Sequence, residues 1–299
     1  MTKCKDRVLG ALLGVAIGDA LGGPLEFMSN EEIQDTHGGT VTEMIGGGWL
    51  NLAPGEITDD TQMTLCVAEG IVESPSDPIP AIGRRFIEWL DSDPKDVGNC
   101  CRAVIGRARH ARANSWDEWS AAAQTVHEIT GGQTAGNGAL MRAVYPALFY
   151  SAERREMADK IGCMTHTHSA SRTAVTAFTK AIARAIDAKI SNEDRKRIIM
   201  LQGRSVSCLV HNLRPDGYAP NGLIYAVKGI QEMETFEDTL IYAVNLGGDT
   251  DTIGAITGGL AGALYGASQI PPRWILALEP GLVKRMEELA VIAVENNLF

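Results

Sequence analysis

Apolar residues recur at i, i+3, i+4 and i+7 through most of this chain, the spacing that lines one face of a helix. The pattern predicts helices over 7–21, 61–73, 79–91, 98–112, 116–128, 138–150, 169–188, 193–211, 237–244, 252–265 and 281–296. Breakers separate them: Ser74-Pro75-Ser76-Asp77-Pro78, Asp91-Ser92-Asp93-Pro94, Gly131-Gly132 and Pro271-Pro272. Period-two alternation is rare, and Gly39 to Ile45 is the best strand candidate. There is no fixed-period repeat, low-complexity tract or long linker to divide the chain. The expectation is an all-α fold forming one domain over 1–299, with its chemistry on connecting loops.

The first apolar run, Val8 to Leu25, follows Lys3, Lys5 and Arg7 and so resembles a signal peptide or membrane span. Asp19 interrupts it, and a carboxylate at mid-span costs roughly 2.5–3.5 kcal/mol on insertion scales. Gly10, Gly14, Gly18 and Gly22 fall on one helical face, where a neighbouring backbone can approach. A buried helix, no membrane span, no targeting segment and a cytoplasmic location are expected.

Composition narrows the partners. Apolar residues make up 45% and charged residues 21%, the balance of a globular protein with a core. A net charge of -10 argues against nucleic acid, because a polyanion is repelled. The cysteines, Cys4, Cys66, Cys100, Cys101, Cys163 and Cys208, form no C-x-x-C pair and read as small core residues in a reducing compartment. Arg102, Arg107, Arg109, His110 and Arg112 read as a solvated helix face, as does Arg195-Lys196-Arg197.

Two acidic clusters exceed what local structure needs. Thr58-Asp59-Asp60 precedes an apolar helix, where one acidic residue would suffice as a cap. Asp249-Thr250-Asp251-Thr252 follows Gly247-Gly248, and carboxylates at i and i+2 can point to one side. An EF-hand loop is excluded, since Ile253 and Leu260 stand where it requires Asp or Asn and Glu. Four aspartates with hydroxyls are hard oxygen donors suited to Mg²⁺, Mn²⁺ or Ca²⁺, and four carboxylates suit two dications better than one. The turn Gly136-Asn137-Gly138 could present backbone N–H groups to a phosphate. His166 and His168 lack a third soft ligand, so a hydrogen-bonding role in a cleft is expected.

Six ordered stretches resemble the ADP-ribosylglycohydrolases, and within them the bacterial dinitrogenase reductase-activating branch: GALLGVAIGDALGGPLEFM, GGGWLNLAPGEITDDTQM, PKDVGNCCR, AGNGALMRAVYPAL, THTH and VNLGGDTDTIGAITGGLAGALYG. The resemblance implies an orthogonal multi-helix domain of that type with a dinuclear cleft holding two divalent cations, Mn²⁺ or Mg²⁺. It implies Thr58, Asp59, Asp60, Asp249, Asp251 and Thr252 as metal ligands and Glu26 as the carboxylate that handles the attacking water. Asp96 would face the target guanidinium, Gly136, Asn137 and Gly138 would hold the pyrophosphate, and His166 would contact ADP-ribose. The stretch from about Leu213 to Thr235 departs from the family pattern, leaving Tyr218 as the candidate for stacking on adenine. The implied activity is removal of ADP-ribose from arginine of a modified protein. In the nitrogenase-linked branch the target is the nitrogenase iron protein and a PII signalling protein is a regulatory partner. Hydrolysis of serine-linked ADP-ribose or O-acetyl-ADP-ribose, and a non-catalytic ADP-ribose-binding or structural role, are the alternatives.

Overall fold

In the computed structural model residues 3–296 are described, so 1–2 and 297–299 of the domain expected over 1–299 lie outside the described residues. The chain forms α1 (Lys3–Gly22), α2 (Asn30–His37), α3 (Asp59–Glu73), α4 (Ile79–Asp91) and α5 (Asn99–Ala111). Then come α6 (Trp116–Ile129), α7 (Val144–Phe149), α8 (Arg154–Cys163), α9 (Ser169–Ile186) and α10 (Asn192–Val206). The last five are α11 (Ala219–Glu232), α12 (Phe236–Val244), α13 (Thr250–Tyr265), α14 (Pro272–Ala277) and α15 (Pro280–Asn296).

The glycine face of α1 sets the architecture. A Cβ on Gly14 would lie 2.0 Å from the Gly258 carbonyl oxygen, and one on Gly18 2.0 Å from that of Gly254. Gly10 meets Gly262 and Gly22 meets Thr250 in the same way. Helices α1 and α13 are therefore antiparallel and touch backbone to backbone, a distance that any side chain would prevent. The segment Lys3–Leu25 is long and apolar enough to cross a membrane, but its most apolar window is wholly buried within the protein. It is the central helix of the core, with α9, α11, α12 and α15 packed around the pair.

Several expected elements differ. Gly39 to Ile45 forms no strand and bends at Gly39 and Glu43; the Asn245 amide bonds both the N–H and the C=O of Val41, each at 2.9 Å, and Trp274 bonds the Thr42 carbonyl. The helix expected over 138–150 is a 3₁₀ turn at Asn137–Ala139 followed by α7. Pro146 has no N–H and fits only the first turn of a helix, so α7 starts at Val144. The helix expected over 193–211 gives way at Val206 to a 3₁₀ turn, Ser207–Leu209. Four helices were not expected: α2, α8, α11 and α14. Arg195 is buried rather than solvated, bonding the Asn192 side chain at 2.8 Å and the Asp187 carbonyl. The arginines of α5 are exposed as expected. All six thiols are unbridged; Cys101 and Cys163 are buried, and Cys208 is exposed rather than in the core.

Candidate functional site: an acidic cleft at two helix N-termini

The two acidic clusters lie far apart in sequence and meet because each begins one of two neighbouring helices. Asp59 and Asp60 open α3, and Asp251 lies in the first turn of α13, whose N-cap position is Asp249. Partial positive charge at both helix ends favours carboxylates there. Neither cluster is used up in capping, since neither Thr58 nor Asp249 makes a side-chain cap bond. For α3 the cap comes from α1: Asp19 accepts from the Thr58 N–H at 3.0 Å, the Thr58 hydroxyl at 2.8 Å and the Thr61 N–H at 3.0 Å. That leaves Asp59 and Asp60 free for other work. Asp19 was legible only as the carboxylate that made α1 unfit for a membrane.

Glu26, Asp249 and Asp251 each bring one carboxylate oxygen within 4.8 Å of the others. Asp60 is fully buried; one oxygen lies 3.3 Å from the Thr58 hydroxyl and 3.4 Å from that of Thr252, while the other, Oδ1, has no partner. These groups sit at a cleft of about 620 Å³. Its walls include Glu26, Asp59, Asp96, Asp249, Asp251 and Thr252, together with Gly136, Asn137, Gly138 and His166. Thr58 and Asp60, also implied as metal ligands, are not part of the wall; both are buried, and the Thr58 hydroxyl bonds the Asp60 carboxylate.

Burial without compensating cations governs the electrostatics. Glu26 is pushed up to about 8, chiefly by desolvation, with Asp96, Asp249 and Asp59 adding to it and the Trp49 bond opposing. Asp59 is raised to about 7, again by burial first and then by Asp96. Asp60 and Asp251 lie well above the usual carboxylate range, through burial first and then repulsion, chiefly from Asp19 on Asp60 and from Asp60 on Asp251. Among the described residues no lysine or arginine lines the cleft. Oxygen-only donors, an orphaned buried carboxylate oxygen and unneutralised charge fit divalent cations of the Mg²⁺ or Mn²⁺ type.

The glycine loop is fixed against both the acidic site and a second loop. Asn137 donates its amide N–H to Asp249 at 2.6 Å, and its backbone N–H bonds the Gly217 carbonyl at 2.9 Å. Because a 3₁₀ turn follows, the loop is not the N-terminus of a helix, and any anion there would meet local N–H groups rather than a macrodipole. His166 is buried behind it, with Nδ1 2.8 Å from the Thr165 hydroxyl. Burial, then the nearby Arg142 guanidinium, lowers the imidazole to about 3, so it is neutral. His168 instead caps α9, accepting from the Ala170 N–H at 3.1 Å.

Asp96 is half-buried at the cleft wall, and Gly98, two residues on, donates its N–H to Asp59 at 3.2 Å. Tyr218 is not in the wall; its hydroxyl bonds the Leu209 carbonyl at 3.1 Å. The wall's aromatic rings, His166 aside, are Phe27 and Trp49, 5.4 Å apart and 69% and 54% exposed. Sequence reasoning missed them, because their exposure and mutual contact arise only when the loop with Gly46, Gly47 and Gly48 folds back.

An all-α protein with an acidic, cation-suited cleft at paired helix N-termini is the class that the fold and site define. A model of the ADP-ribosylglycohydrolase family matches residues 1–297. ADP-ribosyl-(dinitrogen reductase) glycohydrolase of Rhodospirillum rubrum is 35% identical over 280 residues, covering 92% of this chain and 90% of that protein. ADP-ribosylarginine hydrolase Tri1 of Serratia proteamaculans is 28% identical over 308 residues, covering 98% and 81%. A solved structure described as an ADP-ribosylglycohydrolase-related protein complex aligns with a TM-score of 0.82 at 30% identity, covering 99% of both chains. The chain belongs to the ADP-ribosylglycohydrolase family and is a hydrolase.

Proposed function

We propose that the cleft cleaves the N-glycosidic bond between ADP-ribose and an arginine side chain of a modified protein. The observation that carries this reading is the convergence of Glu26, Asp249 and Asp251 in a cleft that, among the described residues, no lysine or arginine lines. The names of the two relatives support arginine as the leaving group. Thr58, Asp59, Asp60, Asp249, Asp251 and Thr252 would hold two divalent cations, Mn²⁺ or Mg²⁺. When bound, such cations supply Lewis-acid charge and lower the pKa of bound water.

The chain's own groups do the rest. Glu26 accepts the proton of the attacking water. Asp96 holds the cationic guanidinium by a charge-assisted pair. The Gly136-Asn137-Gly138 loop carries the pyrophosphate, and neutral His166 contacts ADP-ribose without adding charge. The surrounding carboxylates favour the oxocarbenium character that develops at the anomeric carbon. The carbon–nitrogen bond breaks, the water oxygen stays on the ribose and its proton leaves with arginine.

The nitrogenase iron protein is the first target to test on this reading, a PII signalling protein the first regulator, and the cytoplasm, which suits six unbridged thiols, the expected location. Incubation with ADP-ribosylarginine, ADP-ribosylserine and O-acetyl-ADP-ribose, with Mn²⁺ or EDTA, tests the substrate. Release of ADP-ribose from the arginine compound, abolished by EDTA, is the expected result. Preference for the serine or acetyl compound overturns the leaving group, and release from none leaves a binding or structural role.

A further inference from the structure

The structure assigns Trp49 as a positioning residue for Glu26, an inference that rests on the proposed role of Glu26. The indole N–H donates to Glu26 Oε2 at 2.6 Å. This bond occupies one carboxylate oxygen and leaves Oε1 as the other. A free glutamate side chain samples several rotamers, and a short bond to one oxygen selects among them.

The surrounding backbone is built to bring the two residues together. Gly46, Gly47 and Gly48 all have φ between 66° and 91°, a region that side chains disfavour. Gly47 exchanges two backbone bonds with Leu52, at 2.7 and 2.8 Å, closing the loop that carries Trp49. A Cβ on Gly48 would lie 2.7 Å from the Pro24 carbonyl oxygen, so the loop lies directly on the segment leading to Glu26. On the other side of Glu26, the Phe27 N–H bonds the Gly248 carbonyl and the Gly248 N–H bonds the Met28 carbonyl, both at 2.7 Å. Phe27 has φ 66°, uncommon for a non-glycine residue, and its ring contacts Trp49. Glu26 is thus held by its backbone to the loop before Asp249 and by its side chain to Trp49. A tryptophan so exposed contributes little to the core, yet its one polar atom is committed to this carboxylate.

Trp49→Phe keeps a ring against Phe27 and removes the donor. The expected result is a kcat about 10- to 100-fold lower with KM within about threefold, the range for losing a hydrogen bond to a charged group. The loss vanishes in a Glu26→Gln background, because Trp49 acts only through that carboxylate. Trp49→His, which retains an N–H donor, recovers part of the rate and serves as the second variant where the phenylalanine form folds poorly, judged by its thermal midpoint. Unchanged kcat, an effect on KM alone, or equal losses in the wild-type and Glu26→Gln backgrounds would each overturn the assignment. The cycle uses whichever of the three ADP-ribosyl compounds the wild type cleaves. A wild type inert toward all of them overturns the hydrolytic role of Glu26, whereas an active wild type indifferent to Trp49→Phe overturns only the role of Trp49.

Discussion

At the scale of single residues, the site gathers buried carboxylates whose charge must be relieved by protons or by cations. Asp60→Asn replaces a buried ionisable carboxyl, one oxygen of which has no partner, with a neutral amide. It is expected to raise the thermal midpoint of the metal-free protein by a few degrees, to shrink the further rise on adding Mn²⁺, and to cut turnover at least about 100-fold, the usual trade between stability and a strained site. Scanning calorimetry with and without Mn²⁺, beside an activity assay, checks all three. Asp96→Asn tests the leaving group: turnover of ADP-ribosylarginine should fall about 10-fold or more while that of O-acetyl-ADP-ribose holds, because the ester brings no guanidinium to pair. Much of this was legible in the chain. Paired aspartates between threonines exceeded any capping need, and the cleft does gather them. Asp19 was not legible as their support, because its partners, Thr58 and Thr61, come from another helix. Trp49 was hidden for the same reason: its partner, Glu26, is reached only once three left-handed glycines fold the loop back.

At the scale of elements, periodicity identified the long helices and failed where side chains replaced the backbone ladder. Residues 39–45 look like a strand by composition, but the segment bends, and at its centre the Asn245 amide takes both the N–H and the C=O of Val41 that a second strand would have paired. Helix α2 is polar, with Ile33 as its buried residue, so hydrophobic spacing passed over it. Its capping box, Ser29 with Glu32, was present in the sequence and is formed in the structure. The contact of α1 with α13 was half-visible: the glycine face of α1 announced a close partner but could not say which. Gly14→Ala and Gly258→Ala each place a methyl group against backbone that has no rotamer to yield. Each is expected to destabilise by about 3 kcal/mol or more, the upper range for overpacking. Urea titration gives the value, and activity at low temperature should fall as well, because the same helices carry Asp19 and Asp251.

Across the whole molecule, stability should depend on pH and metal together. Glu26 and Asp59 stand at about 8 and about 7 in the folded protein without metal, above ordinary carboxylates, chiefly through burial. The folded state therefore holds protons that the unfolded chain has already released. Their contribution to stability is fully present below the unfolded pKa and is lost as pH rises through the folded values. In EDTA the thermal midpoint should fall between about pH 5.5 and pH 8. Mn²⁺ competes with those protons, so the midpoint gained on adding it should be larger at pH 8 than at pH 5.5 by a few degrees or more. A gain that is equal at both values would mean that cations bind elsewhere.

The backbone contact between α1 and α13 also has a consequence for biosynthesis. Helix α1 finds its glycine partners only when residues 250–265 have been made. Until then an apolar helix has no permanent cover, and its Asp19 has no second acidic cluster to face. The acidic site therefore waits on α13: a polypeptide truncated before it would carry Glu26, Asp59, Asp60 and Asp96 and still lack Asp249 and Asp251 to close the site.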